Sequence, residues 1–325
     1  MDVRLITAEG VTRHRPDEIE ALLDGPGLTW IDVQYWDADT ARVLQRRLGL
    51  EPSTVRECAV SSPMPRLNVH DHHAVLSLHA PVRGEGGHVH HVEVDQVIGR
   101  NWLLTVHGPM DPTVDLDEAY VETRAINRRL QSGKLRPVAA HELSSALAGV
   151  LVGRMRNYLT GLTEAVWLLE RQVTAGYVGD PEQYLEELFG VRHELLDLRT
   201  TARLSCEVFE LMVQGAVLGP AATAALVDLE DQFRRVAAMA DGQRGYLQGV
   251  IEFYRTRTET KMTIAAERLA VIAAVTLPIT ALSSILGMNV IVYDATAVGT
   301  LVWILAGMLV MSGILLEWAR RKGWW

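Results

Sequence analysis

The spacing of apolar and polar residues changes several times along the 325-residue chain, and each change marks a different kind of element. Up to about residue 135, short β-rich stretches alternate with amphipathic ones. TWIDVQYW (29–36), AVLSLHAPV (74–82) and VEVDQVIGRNWLLTVHG (92–108) predict strands, because β-branched and aromatic residues cluster there. DTARVLQRRLGL (39–50) repeats its apolar residues three and four apart and predicts a short helix. GEGG (84–87) supplies a hairpin turn between two of the strands. Residues 1–135 thus read as an α/β domain.

From Pro137 the helical period takes over. One helix is expected over residues 137–173 and a second from Pro181 to about Gln214, with GYVGDP (176–181) and GAVLGP (215–220) as breaks. From Ala221 the pattern continues without proline to Pro278, although Gly242, Gly245 and Gly249 weaken it locally. Residues 136–262 therefore read as a helical domain and stalk. A helix continuous to Met288 would be about 100 Å long, a length that calls for partners alongside.

Two uncharged runs follow. Leu269–Leu286 reads LAVIAAVTLPITALSSIL and Ala297–Leu316 reads AVGTLVWILAGMLVMSGILL. A bilayer core takes about 20 apolar residues, so the expected order is a first span ending the stalk (263–288), an outer loop (289–296), a second span (297–318) and a tail (319–325). The alternative is a pair of buried helices in a soluble core; adjacency and the absence of charge argue for the membrane. The connecting GMNVIVYDATA holds no Lys or Arg, whereas Arg320, Arg321 and Lys322 follow the second run, with Trp318, Trp324 and Trp325 as interfacial aromatics. The positive-inside rule then puts both termini in the cytoplasm. MDVRLITAEG has no charged segment followed by an apolar core, so no signal peptide is expected.

Composition narrows the function. Hydrophobic residues make up 48% and charged residues 22%, a soluble body joined to a membrane part. A net charge of −9 argues against a general nucleic-acid binder. Cys58 and Cys206 form no CxxC, consistent with a reducing compartment and no disulfide framework. There is no P-loop, dinucleotide fingerprint or GxSxG, so the chain is not expected to be an enzyme, and ion movement would follow a gradient.

Two spans cannot enclose water, so a pore needs several copies, each contributing one helix. Thr263, Ala266, Ala270, Ala273, Leu277, Thr280 and Ser284 form one small, weakly polar stripe of the first span, while Ile272, Val275, Ile279, Leu282 and Leu286 lie opposite. Small residues also serve close helix packing. Asn289 at the outer end favours the pore: repeated around an axis, it makes a ring of amide oxygens able to hold a hydrated Mg²⁺. Gly287 lets the helix end and turn. Leu269 and Leu277 are candidates for an apolar gate. The histidines bunch as His70, His72 and His73, then His88, His90 and His91. They match no established zinc spacing and read first as exposed strand ends, but imidazole suits Zn²⁺, Co²⁺ or Ni²⁺.

Gly287-Met288-Asn289 between two C-terminal spans, with TWIDV, QVIGRNWLLTVH, LEELFGVRHELLDLRTTARL and LPITALSSILGMN in that order, resembles the CorA metal-ion transporters over nearly the whole chain. The resemblance implies an α+β membrane protein of the cell membrane: a homopentameric funnel with a cytoplasmic α/β domain, a long stalk and passive Mg²⁺ influx, often with Co²⁺ or Ni²⁺. It places Gly287, Met288 and Asn289 at the selectivity filter and Thr263, Leu269, Leu277 and Thr280 on the pore. Leu286 stands where the family carries an aromatic, and Thr263 where a pore asparagine is expected. Cys58 and Glu252 stand where many members carry an inter-subunit acidic pair sensing Mg²⁺. Cysteine is a poor Mg²⁺ ligand, and the neighbouring Glu57 is the substitute. A Zn²⁺ transporter of the same build and a non-conducting membrane-anchored sensor or scaffold are the alternatives.

Overall fold

The computed structural model describes residues 1–84, 89–107, 114–176, 180–287 and 298–321. It divides into two compact units, Met1–Val250 and Ile251–Trp325.

The first unit is built on a seven-stranded sheet. Its strands are β1 (Asp2–Ile6), β2 (Val11–His14), β3 (Leu28–Val33), β4 (Arg66–Val69), β5 (Ala74–Arg83), β6 (Val89–Ile98) and β7 (Trp102–His107), in the spatial order β2-β1-β3-β7-β6-β5-β4. Among the described strands only β3 and β7 pair in parallel, Ile31 opposite Leu104. Every residue of β3 and β7 is buried, as expected of strands covered on both faces.

One face is closed by α1 (Ile19–Asp24), α2 (Ala38–Leu48) and α3 (Pro52–Ala59). Ile19, Leu22, Leu44 and Cys58 pack there against Ile31, Val33, Val75, Val97, Leu104 and Val106. Asp37 caps α2 by accepting from the Thr40 amide at 2.7 Å, and Gly49 (φ 64°) ends it in the left-handed conformation. The short helices α4 (Leu116–Ala119) and α5 (Val121–Gln131) follow β7.

Two long helices pack on the sheet, α6 (Ala140–Ala175) against β5, β6 and β7 and α7 (Pro181–Gln214) against β4 and β5. The buried residues of α7 recur at alternating steps of three and four, Leu188, Val191, Leu195, Leu198, Ala202, Ser205, Phe209 and Met212. The start of α8 (Thr223–Gly287) repeats the rhythm with Leu226, Leu229, Phe233, Val236 and Ala240. That period of 3.5 is the signature of coiled-coil packing, and Phe209 stacks on Phe233 at 5.4 Å. Gly242, Gly245 and Gly249 do not interrupt α8.

Polar residues are also buried in the sheet. Asp95 lies opposite Ser77, and Glu93 opposite His79. Glu93 accepts from the Ser62 amide at 2.9 Å, and the His79 ring donates to the Ser62 carbonyl at 2.8 Å. Burial, with the neighbouring Glu93 carboxylate, pushes the Asp95 carboxyl up to about 8.

The second unit holds the rest of α8 and α9 (Val298–Arg321). Among the described residues, the α8 and α9 helices are the two long and apolar enough to cross a membrane, and only 6% of each apolar window is buried. Core helices of a soluble protein would be mostly buried, so the soluble-core alternative fails.

Candidate ion-conduction site

Within the second unit, Val271 and Ala319 are the buried side chains among the described residues. On α8 the half-buried positions Ala274, Val275, Pro278 and Ile279 gather around Val271. The small stripe lies on another face. Thr263, Ala266, Ala270, Thr280 and Ser284 are exposed, Leu269 and Leu277 each keep 66% of their surface, and Ala273 is half-buried. Opposite, Ile272 and Leu282 are exposed, while Val275 and Ile279 are half-buried. Along the first span the half-buried positions thus cluster around Val271, while most of the small stripe and part of the bulky face are exposed. Gly287 ends α8; Met288, Asn289 and the outer loop lie outside the described residues.

The threonine hydroxyls have a fixed role. Thr263 donates to the Glu259 carbonyl at 3.0 Å, Thr276 to Ile272 at 2.8 Å and Thr280 to Thr276 at 2.9 Å. Each spends its proton on its own helix, leaving lone pairs to accept. The water shell of a cation presents protons outward, so such hydroxyls suit a hydrated cation. Thr276 was not singled out in the sequence, because it lies off the small-residue stripe.

The other candidate residues sit in the first unit, apart from Glu252. Cys58 is 1% exposed within the core between α3 and the sheet. Burial, with the Asp95 and Glu57 carboxylates beside it, pushes its thiol far up, so it stays protonated. Glu57 Oε2 is 3.8 Å from His70 Nε2. Glu252 belongs to the second unit.

The histidines separate. His70 and His73 stack at 4.8 Å, and Thr54 Oγ1 lies 2.7 Å from His73 Nε2. Burial lowers the His73 pKa, with His70 adding to the effect. His70, His72 and His73 line a cleft of about 350 Å³ with His141, which the fold brings to them from α6. His91 lies 3.2 Å from Asp197 on α7, and His90 is half-buried on β6. His88 lies outside the described residues. Among the described residues, no group of three or more His, Cys, Asp or Glu side chains is arranged to hold a metal ion.

Comparison with known proteins places this architecture. The family model "CorA-like Mg2+ transporter protein" matches residues 25–321. The chain belongs to the CorA-like family. It is thus a membrane transporter of divalent cations rather than an enzyme. The CorA-like fold is shared with the complete CorA magnesium transporter of Methanocaldococcus jannaschii, with a TM-score of 0.79, 16% identity, and coverage of 100% of this chain and 98% of that one. The full-length CmaX protein superposes with a TM-score of 0.77 at 16% identity, covering 98% and 97%. The ZntB cytoplasmic domain from Vibrio parahaemolyticus superposes at 0.62 and 12% identity, covering 80% and 98%. A segment of 103 residues, 31% of the chain, is 33% identical to a probable glycine dehydrogenase (decarboxylating) subunit 1 of Anaeromyxobacter dehalogenans. The chain spans 22% of the length of that curated relative, and the likeness carries no activity across.

Proposed function

We propose that the protein is a homopentameric channel of the cell membrane through which Mg²⁺, and secondarily Co²⁺ or Ni²⁺, enters passively. The observation that carries this reading is the small, hydroxyl-bearing stripe of α8, exposed on a helix of spanning length and turned away from the half-buried face. Five copies would turn that stripe into a lining of acceptors and small side chains. Asn289 would add a ring of carboxamides at the outer mouth, with Gly287 and Met288 shaping its approach. Leu269 and Leu277 would form the apolar constriction. With both termini in the cytoplasm, the membrane potential draws a divalent ion inward with about 5 kcal/mol per 100 mV.

Closure by cytosolic Mg²⁺ would rest on Glu57 and Glu252 from neighbouring subunits rather than on Cys58, since a buried neutral thiol is no partner for a hard cation. Zn²⁺ transport by the same architecture is the second reading; His70, His72, His73 and His141 line one cleft, although among the described residues they are not arranged as a metal site.

Reconstitution in liposomes with Mg²⁺ and Zn²⁺ indicators tests both. Flux of Mg²⁺ supports the leading proposal, flux of Zn²⁺ alone the second, and flux of neither leaves a membrane-anchored scaffold. Asn289→Ala should abolish selective flux while the assembly keeps its size on a sizing column; undiminished Mg²⁺ entry would contradict the role given to Asn289.

A further inference from the structure

At the far edge of the sheet a cavity of about 460 Å³ opens between the β1–β2 hairpin and the C-terminal end of α5. Its charged lining consists of Arg4, Arg13 and Arg136 against Asp2 and Glu9, a surplus of one positive charge. Asp2 is shared: it accepts from Arg4, and its other oxygen lies 2.7 Å from Arg13 Nε. The Arg4 guanidinium is held over the Trp30 ring at 4.8 Å.

That arrangement fixes Arg4 without satisfying it. Its Nη1 is buried with no hydrogen-bond partner among the described residues, and so are two acceptors of residues lining the same cavity, Asn127 Oδ1 and Asp2 Oδ1, the latter facing Arg13 as an ion pair without a hydrogen bond. A buried donor and two buried acceptors left open beside one cavity cost free energy unless something answers them. Arg136 forms no ion pair among the described residues. It lines the cavity beside Gly133, whose φ of 69° lets the chain turn there after α5. The carbonyls at the end of α5 would repel an anion, but the chain caps them. The Ser132 amide donates to Arg128 at 3.0 Å, Gly133 to Leu130 at 3.0 Å and Leu135 to Arg129 at 3.1 Å.

We propose that this cavity binds a small organic anion, a phosphate ester or polycarboxylate. Its oxyanion accepts from Arg4, Arg13 and Arg136, and a hydroxyl or amine on the same molecule donates to Asn127 Oδ1. Guanidinium forks suit both oxyanions, and the volume exceeds what bare phosphate needs.

The test is calorimetric titration of the full-length protein in detergent and metal-free buffer with AMP, glucose 6-phosphate, citrate and inorganic phosphate. At least one organic anion should bind saturably with a Kd of roughly 10 µM to 1 mM, more weakly as salt is added. A phosphate ester and citrate separate the two oxyanion classes. Arg13 and Arg136 are exposed, so Arg13→Ala/Arg136→Ala should fold as the parent does and weaken binding by about tenfold or more. Arg171→Ala, exposed on α6 and outside the cavity lining, should leave it unchanged. No saturable binding up to about 10 mM overturns the proposal. So does affinity unaltered in the double variant, or inorganic phosphate binding as tightly as every organic anion.

Discussion

Replacing Asp95 by asparagine should make the protein more stable near neutral pH and flatten its pH dependence. Asp95 is 1% exposed on β6, opposite Ser77 and beside Glu93. Its carboxyl titrates at about 8 in the folded chain against 3.8 for an ordinary aspartate. The folded state therefore keeps a proton that the unfolded chain releases between those values. The native state binds more protons, so stability falls as pH rises through the window. Some four units at about 1.4 kcal/mol each set a ceiling on the order of 5 kcal/mol by pH 8, less whatever part Glu93 shares. Asparagine is nearly isosteric, cannot ionise, and offers Glu93 an N–H in place of the protonated carboxyl. The assay is urea unfolding of the full-length protein in detergent at pH values from about 4 to 8, comparing wild type with Asp95→Asn. The two should coincide near the acid end and diverge by a few kcal/mol at the alkaline end. His73 titrates in both proteins and cancels in the difference, whereas His79 shares Glu93 with Asp95, so its change belongs to the difference measured. Parallel curves across the window, or a variant less stable at pH 8, would refute the reasoning.

Two further outcomes follow from single side chains. Phe209→Ala removes a ring that is 1% exposed and stacked on Phe233; the expected loss is about 3–5 kcal/mol, against about 1–2 for Phe209→Leu, read from urea unfolding. Thr280→Val keeps the shape of α8 but removes the outward lone pairs, so Mg²⁺ flux in liposomes should drop about fivefold while Thr280→Ser retains it; equal flux in the valine variant would dismiss the hydroxyl's part.

The sequence revealed most where one period decided the structure. TWIDV, AVLSLHAPV and WLLTVH are strands because sheets covered on both faces need continuous apolar runs. The second long helix begins at Pro181 and ends at Gln214 as expected, since a proline can open a helix and a glycine follows its end. The hairpin of β1 and β2 was not anticipated: DVRLI and VTRH are only five and four residues long, each interrupted by charged or polar side chains, and β1 pairs with β3 alongside. The fates of Cys58 and Asp95 were equally hidden, because burial is a property of the assembled sheet. The histidines show the limit most clearly. Two runs that look alike in sequence part company in space, His91 going to Asp197 while His141 joins His70 and His73. The stripe on α8 is a matter of helical spacing alone, and its place on a pore is the proposal made above.

Pro278 sits inside α8 without ending it. Lacking an N–H, it leaves the carbonyl of Ala274 without the donor that every other rung of that ladder supplies. In hydrocarbon an unanswered carbonyl costs several kcal/mol, so neighbouring groups or a water must attend to it. The span is therefore weakest partway across, where bending breaks no rung that was ever made. One absent hydrogen gives an otherwise stiff rod a place to flex.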